Sequence, residues 1–263
     1  MKAAFTRNWN HYLQEALGLA IFMISACFFG ALIFSEQSPL YRFFPSDFSR
    51  TILMGMMMGL TALFIFYSRV TSPSGSQINP AVTLTFLRLG KMCRYDALFF
   101  IIFQIAGGTL AVYMMRLVMG QLLTADPVHT VATVPGRYGV VPALVVELLI
   151  AFTTMSLVLF TSHHEKWNRY TRIFAACLVC TWVIVAGPIS GFGMNPARSL
   201  ASAITSGTWT SIWIYLLAPL TGMLLAAEIF LISANKGKKL KQMRKPIEGG
   251  DRTKCMEPLE FKL

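Results

Sequence analysis

Charged side chains are scarce in this chain. They make up 13% of its 263 residues, with only 12 Asp and Glu, against about 25% in an ordinary soluble domain. Histidine is scarcer still, with four copies, and no His-, Cys- or Ser-based constellation is evident at matching depth. A membrane enzyme is therefore disfavoured. The run His163-His164-Glu165 sits in a short loop beside Lys166 and Arg169 and reads as solvated surface. The five cysteines are Cys27, Cys93, Cys177, Cys180 and Cys255. Cys177 and Cys180 form a C-x-x-C inside an apolar segment, with no second pair and no His nearby. They read as small buried apolar residues, not as a metal or redox site. No metal site is expected.

What the chain has in place of charge is long apolar sequence. Hydrophobic residues make up 55% of it, and the mean hydropathy is +0.56. Six apolar segments stand out, roughly 11–34, 51–70, 95–118, 140–162, 170–186 and 211–234. Each approaches the ~20 residues that a membrane-spanning helix needs. The first is too long for a signal-peptide core and contains Glu15, so no cleaved signal is expected. The net charge of +11 lies in the loops and the tail. It suits membrane topology and lipid contact better than nucleic-acid binding.

Two short polar motifs interrupt the apolar pattern. Ser74-Gly75-Ser76-Gln77-Ile78-Asn79-Pro80-Ala81-Val82-Thr83-Leu84 has a later twin, Ser190-Gly191-Phe192-Gly193-Met194-Asn195-Pro196-Ala197-Arg198-Ser199-Leu200, with six of eleven positions identical. Each reads as a helix start. Asn is a strong N-cap, and the Pro after it suits the first helical position, where its missing N–H would have no partner anyway. The apolar runs that follow, 81–89 and 197–204, are too short to cross a bilayer. They read as half-helices. Two such elements in corresponding places point to a shared site on a transport path.

Each half then holds three spans, with one half-helix between its second and third. Three is odd, so the second half enters the membrane from the opposite side. The fold class is an all-α membrane protein with six transmembrane helices, two re-entrant half-helices and an inverted internal repeat. With both termini cytoplasmic, 18 of the 23 Lys and Arg fall on the inner side and five (Arg42, Arg50, Arg116, Arg137 and Arg198) on the outer, as the positive-inside rule asks. The organisation expected is a cytoplasmic N-terminus at 1–10, a channel domain at 11–235 with repeats at 11–118 and 140–235, and a basic cytoplasmic tail at 236–263. Of that tail, 236–245 is expected to touch anionic headgroups and 246–263 to be disordered. The segment 35–50, an unusually long first external loop, reads as a tolerated insertion, with a subunit contact or pore vestibule as the alternative. The segment 119–137 connects the halves.

Glu15 and Glu147 occupy matching places in the first span of each half. Ionisable residues are costly there, so each is expected to accept hydrogen bonds from backbone N–H groups ahead of its half-helix. Gln104 can do similar work beside Gly107 and Gly108, whose small size lets helices pack closely. Glu228 lies near the cytoplasmic end of the last segment.

The paired Asn-Pro-Ala boxes, the six spans and the matched Glu15 and Glu147 resemble the aquaporin or major intrinsic protein family over about residues 10–235. The resemblance implies a homotetramer with one pore per subunit, passive flux of water or small neutral solutes, and no cofactor. It implies pore motifs at Asn79, Pro80, Ala81, Asn195, Pro196 and Ala197, and a narrow outer filter of Met58, Val183, Phe192 and Arg198. The chain departs from the family pattern in three places. Strict water channels typically have His where Val183 stands, glycerol facilitators usually have Asp where Ser199 stands, and many members have His where Gln77 stands. Water is the expected solute, and a glycerol or small-neutral-solute facilitator is the alternative. An ion-coupled secondary transporter is disfavoured, because no acidic ion site lies near the boxes. The partners expected are the lipid bilayer and further copies of the chain, with no nucleic acid, in a bacterial inner membrane.

Overall fold

The computed structural model describes residues 1–235, and these contain no strand. Eleven α-helices form in chain order: α1 Lys2–Phe34, α2 Pro39–Phe43, α3 Asp47–Tyr67, α4 Pro80–Arg88, α5 Arg94–Met119, α6 Gln121–Thr124, α7 Val140–Ser162, α8 Thr171–Val185, α9 Gly187–Ser190, α10 Pro196–Ser206 and α11 Ile212–Asn235. The expectations for the basic run and the tail end lie outside the described residues.

By length and composition, five of these helices (α1, α3, α5, α7 and α11) are able to cross a membrane. The sixth expected span, 170–186, is α8 to within a residue at each end, but with 15 residues, roughly 22 Å at 1.5 Å per residue, it is shorter than the other five, and the chain restarts after Ala186 as α9. Pro188 is the physical reason, because it has no N–H to donate and its ring clashes with the preceding turn. A 3₁₀ turn at Asn168–Tyr170 lengthens the other end. The first span also differs, since α1 continues through residues 2–10. Tyr12 Oη donates to Asp96 Oδ1 at 2.5 Å and Asn8 Nδ2 donates to the same oxygen at 3.0 Å, which ties the opening turns of α1 to α5.

Packing follows the duplication. In the first half α1 lies along α5, and in the second α7 lies along α11. Each short helix then packs against a long helix of the other half, α4 on α11 and α10 on α5. Small residues set these distances. A Cβ on Gly107 would stand 2.3 Å from the Ala16 carbonyl oxygen, and one on Gly222 would stand 2.4 Å from that of Leu148. Gly55 and Gly59, one turn apart on α3, meet Cys180 of α8 in the same way. Cys180 is therefore half-buried, but Cys177 is exposed and not the buried residue its apolar surroundings suggested.

Gly107→Ala is expected to destabilise the protein by about 1–3 kcal/mol, the usual cost of overpacking a tight contact. Backbone atoms crowd the new methyl, so no side chain can swing aside. Thermal unfolding in detergent checks this, and an unchanged midpoint would contradict the close helix approach.

Candidate functional site

The two Asn-Pro motifs come together tip to tip. Asn79 Oδ1 caps its own helix by accepting from Ala81 N at 2.9 Å, and Asn195 Oδ1 accepts from Ala197 N at 3.0 Å and Arg198 N at 3.3 Å. Pro80 and Pro196 open their helices at the first turn. The amide nitrogens then reach across. Asn79 Nδ2 donates to the Met194 carbonyl at 2.9 Å, and Asn195 Nδ2 donates to the Ile78 carbonyl at 2.6 Å. A side-chain NH₂ has two hydrogens, so one on each amide is left for a third party. Sequence reading placed both residues in the pore motifs and did not find this cross-bond. The cross-bond pins the two tips to each other.

The loops ahead of the helices share an unusual backbone. Gly75 and Gly191 are left-handed, as are Ser76 and Ile78 in one loop and Phe192 and Met194 in the other, at φ between 44° and 49°. Such a conformation is rare for a β-branched residue like Ile78 and costs about 1–3 kcal/mol at each non-glycine position. It persists because each loop is wrapped on a buried carboxylate. Glu15 accepts from Ser74 Oγ at 2.6 Å, Gln77 N at 2.9 Å, Ile78 N at 2.6 Å and Gln104 Nε2 at 2.8 Å. Glu147 accepts from Ser190 Oγ at 2.7 Å, Gly193 N at 2.7 Å and Met194 N at 2.6 Å. Both glutamates are fully buried. Tyr215 Oη adds a bond to the Ser190 carbonyl at 2.7 Å in the second loop only.

Two cavities adjoin one another at the site, inner and outer in the orientation expected from the sequence. The inner one, about 150 Å³, takes in the tips themselves, with Asn79 and Asn195 in its lining. The outer one, about 390 Å³, is lined by Met58 and Val183. Phe22, Phe192 and Arg198 line both and mark where they meet. The four residues expected at a filter thus share one cavity wall. Two residues at the same place escaped the sequence reading. Phe22 is one hydrophobe among many on α1, and nothing in its local pattern marks it. Thr133 lies in the connector between the halves, yet its Oγ1 accepts from Arg198 Nη1. The same connector contributes Pro127, Val128, Val131 and Ala132 to the outer cavity wall, which Asp47, at the start of α3, also lines.

The far ends of the half-helices are also anchored. Arg116 of α5 donates to the Thr205 carbonyl near the C-terminus of α10. Arg88, in the last turn of α4, pairs with Glu228 of α11 at 2.6 Å. Cations at helix C-termini complement the macrodipole, and both contacts tie a short helix to a long one of the other half.

Comparison with known proteins agrees with this arrangement. The family model described as major intrinsic protein matches residues 2–230. Aquaporin NIP1-1 of Zea mays is 28% identical over 234 residues, covering 89% of this chain and 78% of the relative. A probable NIP-type aquaporin of Nicotiana alata is 32% identical over 189 residues, covering 71% and 67%. These relatives are plant proteins and lend no support to a bacterial inner membrane. Among solved structures, the aquaglyceroporin from Plasmodium falciparum superposes with a TM-score of 0.68 at 16% identity, covering 89% of this chain and 98% of the other. At that identity the likeness concerns the fold.

Proposed function

The chain belongs to the major intrinsic protein family, and from that premise we propose that it is a passive transmembrane channel for water and small uncharged solutes. It is a multi-pass membrane protein, with a channel domain over about 11–235 built of repeats at 11–118 and 140–235. The observation that carries the reading is the meeting of two capped helix N-termini inside one cavity, which adjoins a second at Phe22, Phe192 and Arg198.

The chemistry follows from the residues. Asn79 and Asn195 each keep one amide hydrogen, and both can bond to the oxygen of one water. A water held as a double acceptor has its lone pairs occupied and resists taking a proton from its neighbour, so a proton wire is interrupted there. Each helix N-terminus carries roughly half a positive charge. Two together repel a cation by ~4 kcal/mol at 4 Å and an effective dielectric near 20, a factor of about a thousand in rate. Pores of this family are a standing example of barriers made from an Arg and the positive ends of half-helices, and Arg198 stands beside the tips to supply the full charge. Pro80, Ala81, Pro196 and Ala197 form the turns that aim the amides. Glu15, Glu147 and Gln104 hold the loops in their strained form.

Met58, Val183, Phe192 and Arg198 form the outer filter in this reading. Val183 offers no hydrogen bond and leaves more room than His would, while Phe192 supplies an apolar wall facing Arg198. Such a filter passes water and suits a small solute with one apolar and one hydroxylated face. Val183→His is expected to cut glycerol flux severalfold relative to water. An unchanged ratio in that variant counts against Val183 as a filter residue.

No catalytic activity is proposed. A homotetramer is proposed, with both termini cytoplasmic, and the distribution of Lys and Arg supports that orientation. Stopped-flow shrinkage of proteoliposomes tests the main reading. Water flux with a weak temperature dependence and no need of an ion gradient is expected. Dependence on a proton or sodium gradient would replace this reading with coupled transport.

A further inference from the structure

The two motif loops are twins in backbone but not in side chains. At Gly193 a Cβ would stand 2.5 Å from Tyr215 Cδ1, so that position is closed to any side chain. Its twin in the first loop is Gln77, which is 5% exposed and lines the inner cavity. Thr83 Oγ1 bonds one polar atom of the Gln77 amide at 2.8 Å. The other has no hydrogen-bond partner. Exchanging the amide's O and N would change which atom meets Thr83 and still leave the second one unbonded.

A matching group comes from the other half of the molecule. Thr171, in the first turn of α8, is 2% exposed and lines the same cavity. Its Oγ1 also lacks a partner. Buried polar atoms in folded proteins are nearly always bonded, and each exception calls for an explanation. Here two exceptions, one from each repeat, share one cavity whose remaining wall is largely apolar, with Phe66, Val82, Val158 and Val179. Among the described residues, no buried unpartnered side-chain atom belongs to a residue lining the outer cavity.

We propose that Gln77 and Thr171 form a second selection point, on the inner side of the helix tips, that hydrogen-bonds an uncharged hydroxylated solute as it crosses the inner cavity. The proposal rests on the channel reading above and adds to it where solutes are sorted. A cavity of this size holds several waters. Those waters bond to one another and depend little on the wall. A small polyol fills the same space, displaces them and takes its partners from the wall, with Gln77 and Thr171 adding to the amides of Asn79 and Asn195.

The test is stopped-flow light scattering on proteoliposomes of the full chain, measuring water efflux and glycerol re-swelling for the parent, Thr171→Val, Thr171→Ser and Gln77→Met. Thr171→Val and Gln77→Met are each expected to lower glycerol permeability about fivefold, the factor set by roughly one hydrogen bond, while water falls less than twofold. Thr171→Ser restores the hydroxyl and the parental ratio. Thr171→Val is also expected to melt at or above the parent's temperature in detergent, because it removes an unbonded buried hydroxyl. A glycerol-to-water ratio within twofold of the parent in both apolar variants overturns the proposal. So does a Thr171→Val protein that melts well below the parent, since its hydroxyl would then have a structural partner. A parent that passes water and excludes glycerol overturns this proposal alone, and a parent that passes neither defeats the channel reading itself.

Discussion

Glu147→Leu is expected to remove a large part of the protein's stability, although the residue has no part in solute contact. The substitution strands Gly193 N and Met194 N, which now donate to the two carboxylate oxygens at 2.7 and 2.6 Å, while Ser190 Oγ loses its 2.7 Å bond and keeps only the Ala186 carbonyl at 3.2 Å. Each buried donor left unpaired costs about 1–3 kcal/mol, so the loss is ~2–6 kcal/mol against a typical total of ~5–15. Phe192 and Met194 would meanwhile lose what holds their left-handed backbone. Water cannot make good the loss, because the carboxylate lies fully inside the protein. Glu147→Gln tests the same point more gently. It keeps one acceptor oxygen but turns an NH₂ toward backbone N–H groups, so it should fall between the parent and Glu147→Leu. Thermal unfolding in detergent, read together with monodispersity, decides the matter. A Glu147→Leu midpoint within about 5 °C of the parent would show that the second loop is held by other means.

Arg198→Val is expected to admit protons and small cations while water still passes. Arg198 lines both cavities where they meet, and its backbone N–H is capped by Asn195 Oδ1. Removing a unit charge about 6 Å from a passing cation, at an effective dielectric near 20, removes ~3 kcal/mol of repulsion. Cation flux should rise on the order of a hundredfold. The two half-helix dipoles remain, so the barrier is lowered without being abolished. Proton entry into acid-jumped proteoliposomes carrying an internal pH dye measures this, with water efflux from the same preparation as the internal control. Unaltered proton entry would leave the helix tips as the whole barrier and take Arg198 out of it.

The local features were readable in the chain itself because each has a local cause. An Asn before a Pro caps and starts a helix whatever surrounds it, so α4 and α10 could be placed from their motifs within a residue or two. Long apolar runs cannot stay in water, which marked the five long helices. The end of α8 was readable too, because the apolar run stops at Ala186, just before Gly187 and Pro188, whereas the short α9 beyond it was not. The cross-bonds from Asn79 to Met194 and from Asn195 to Ile78 were not readable either. They join residues more than a hundred positions apart, and nothing near either residue encodes the partner.

Duplication, membrane class, paired half-helices and matched buried glutamates were determined by sequence alone, since each follows from a motif, a periodicity or the solvation cost of a side chain. Which residues wall the two cavities was decided only by the tertiary structure. Phe22 looks like its apolar neighbours on α1, and Thr133 looks like ordinary connector, until folding brings both to Arg198. The same holds for the unbonded atoms of Gln77 and Thr171. Whether a polar group has a partner depends on every element packed around it, and that sum exists only once the halves have interlocked.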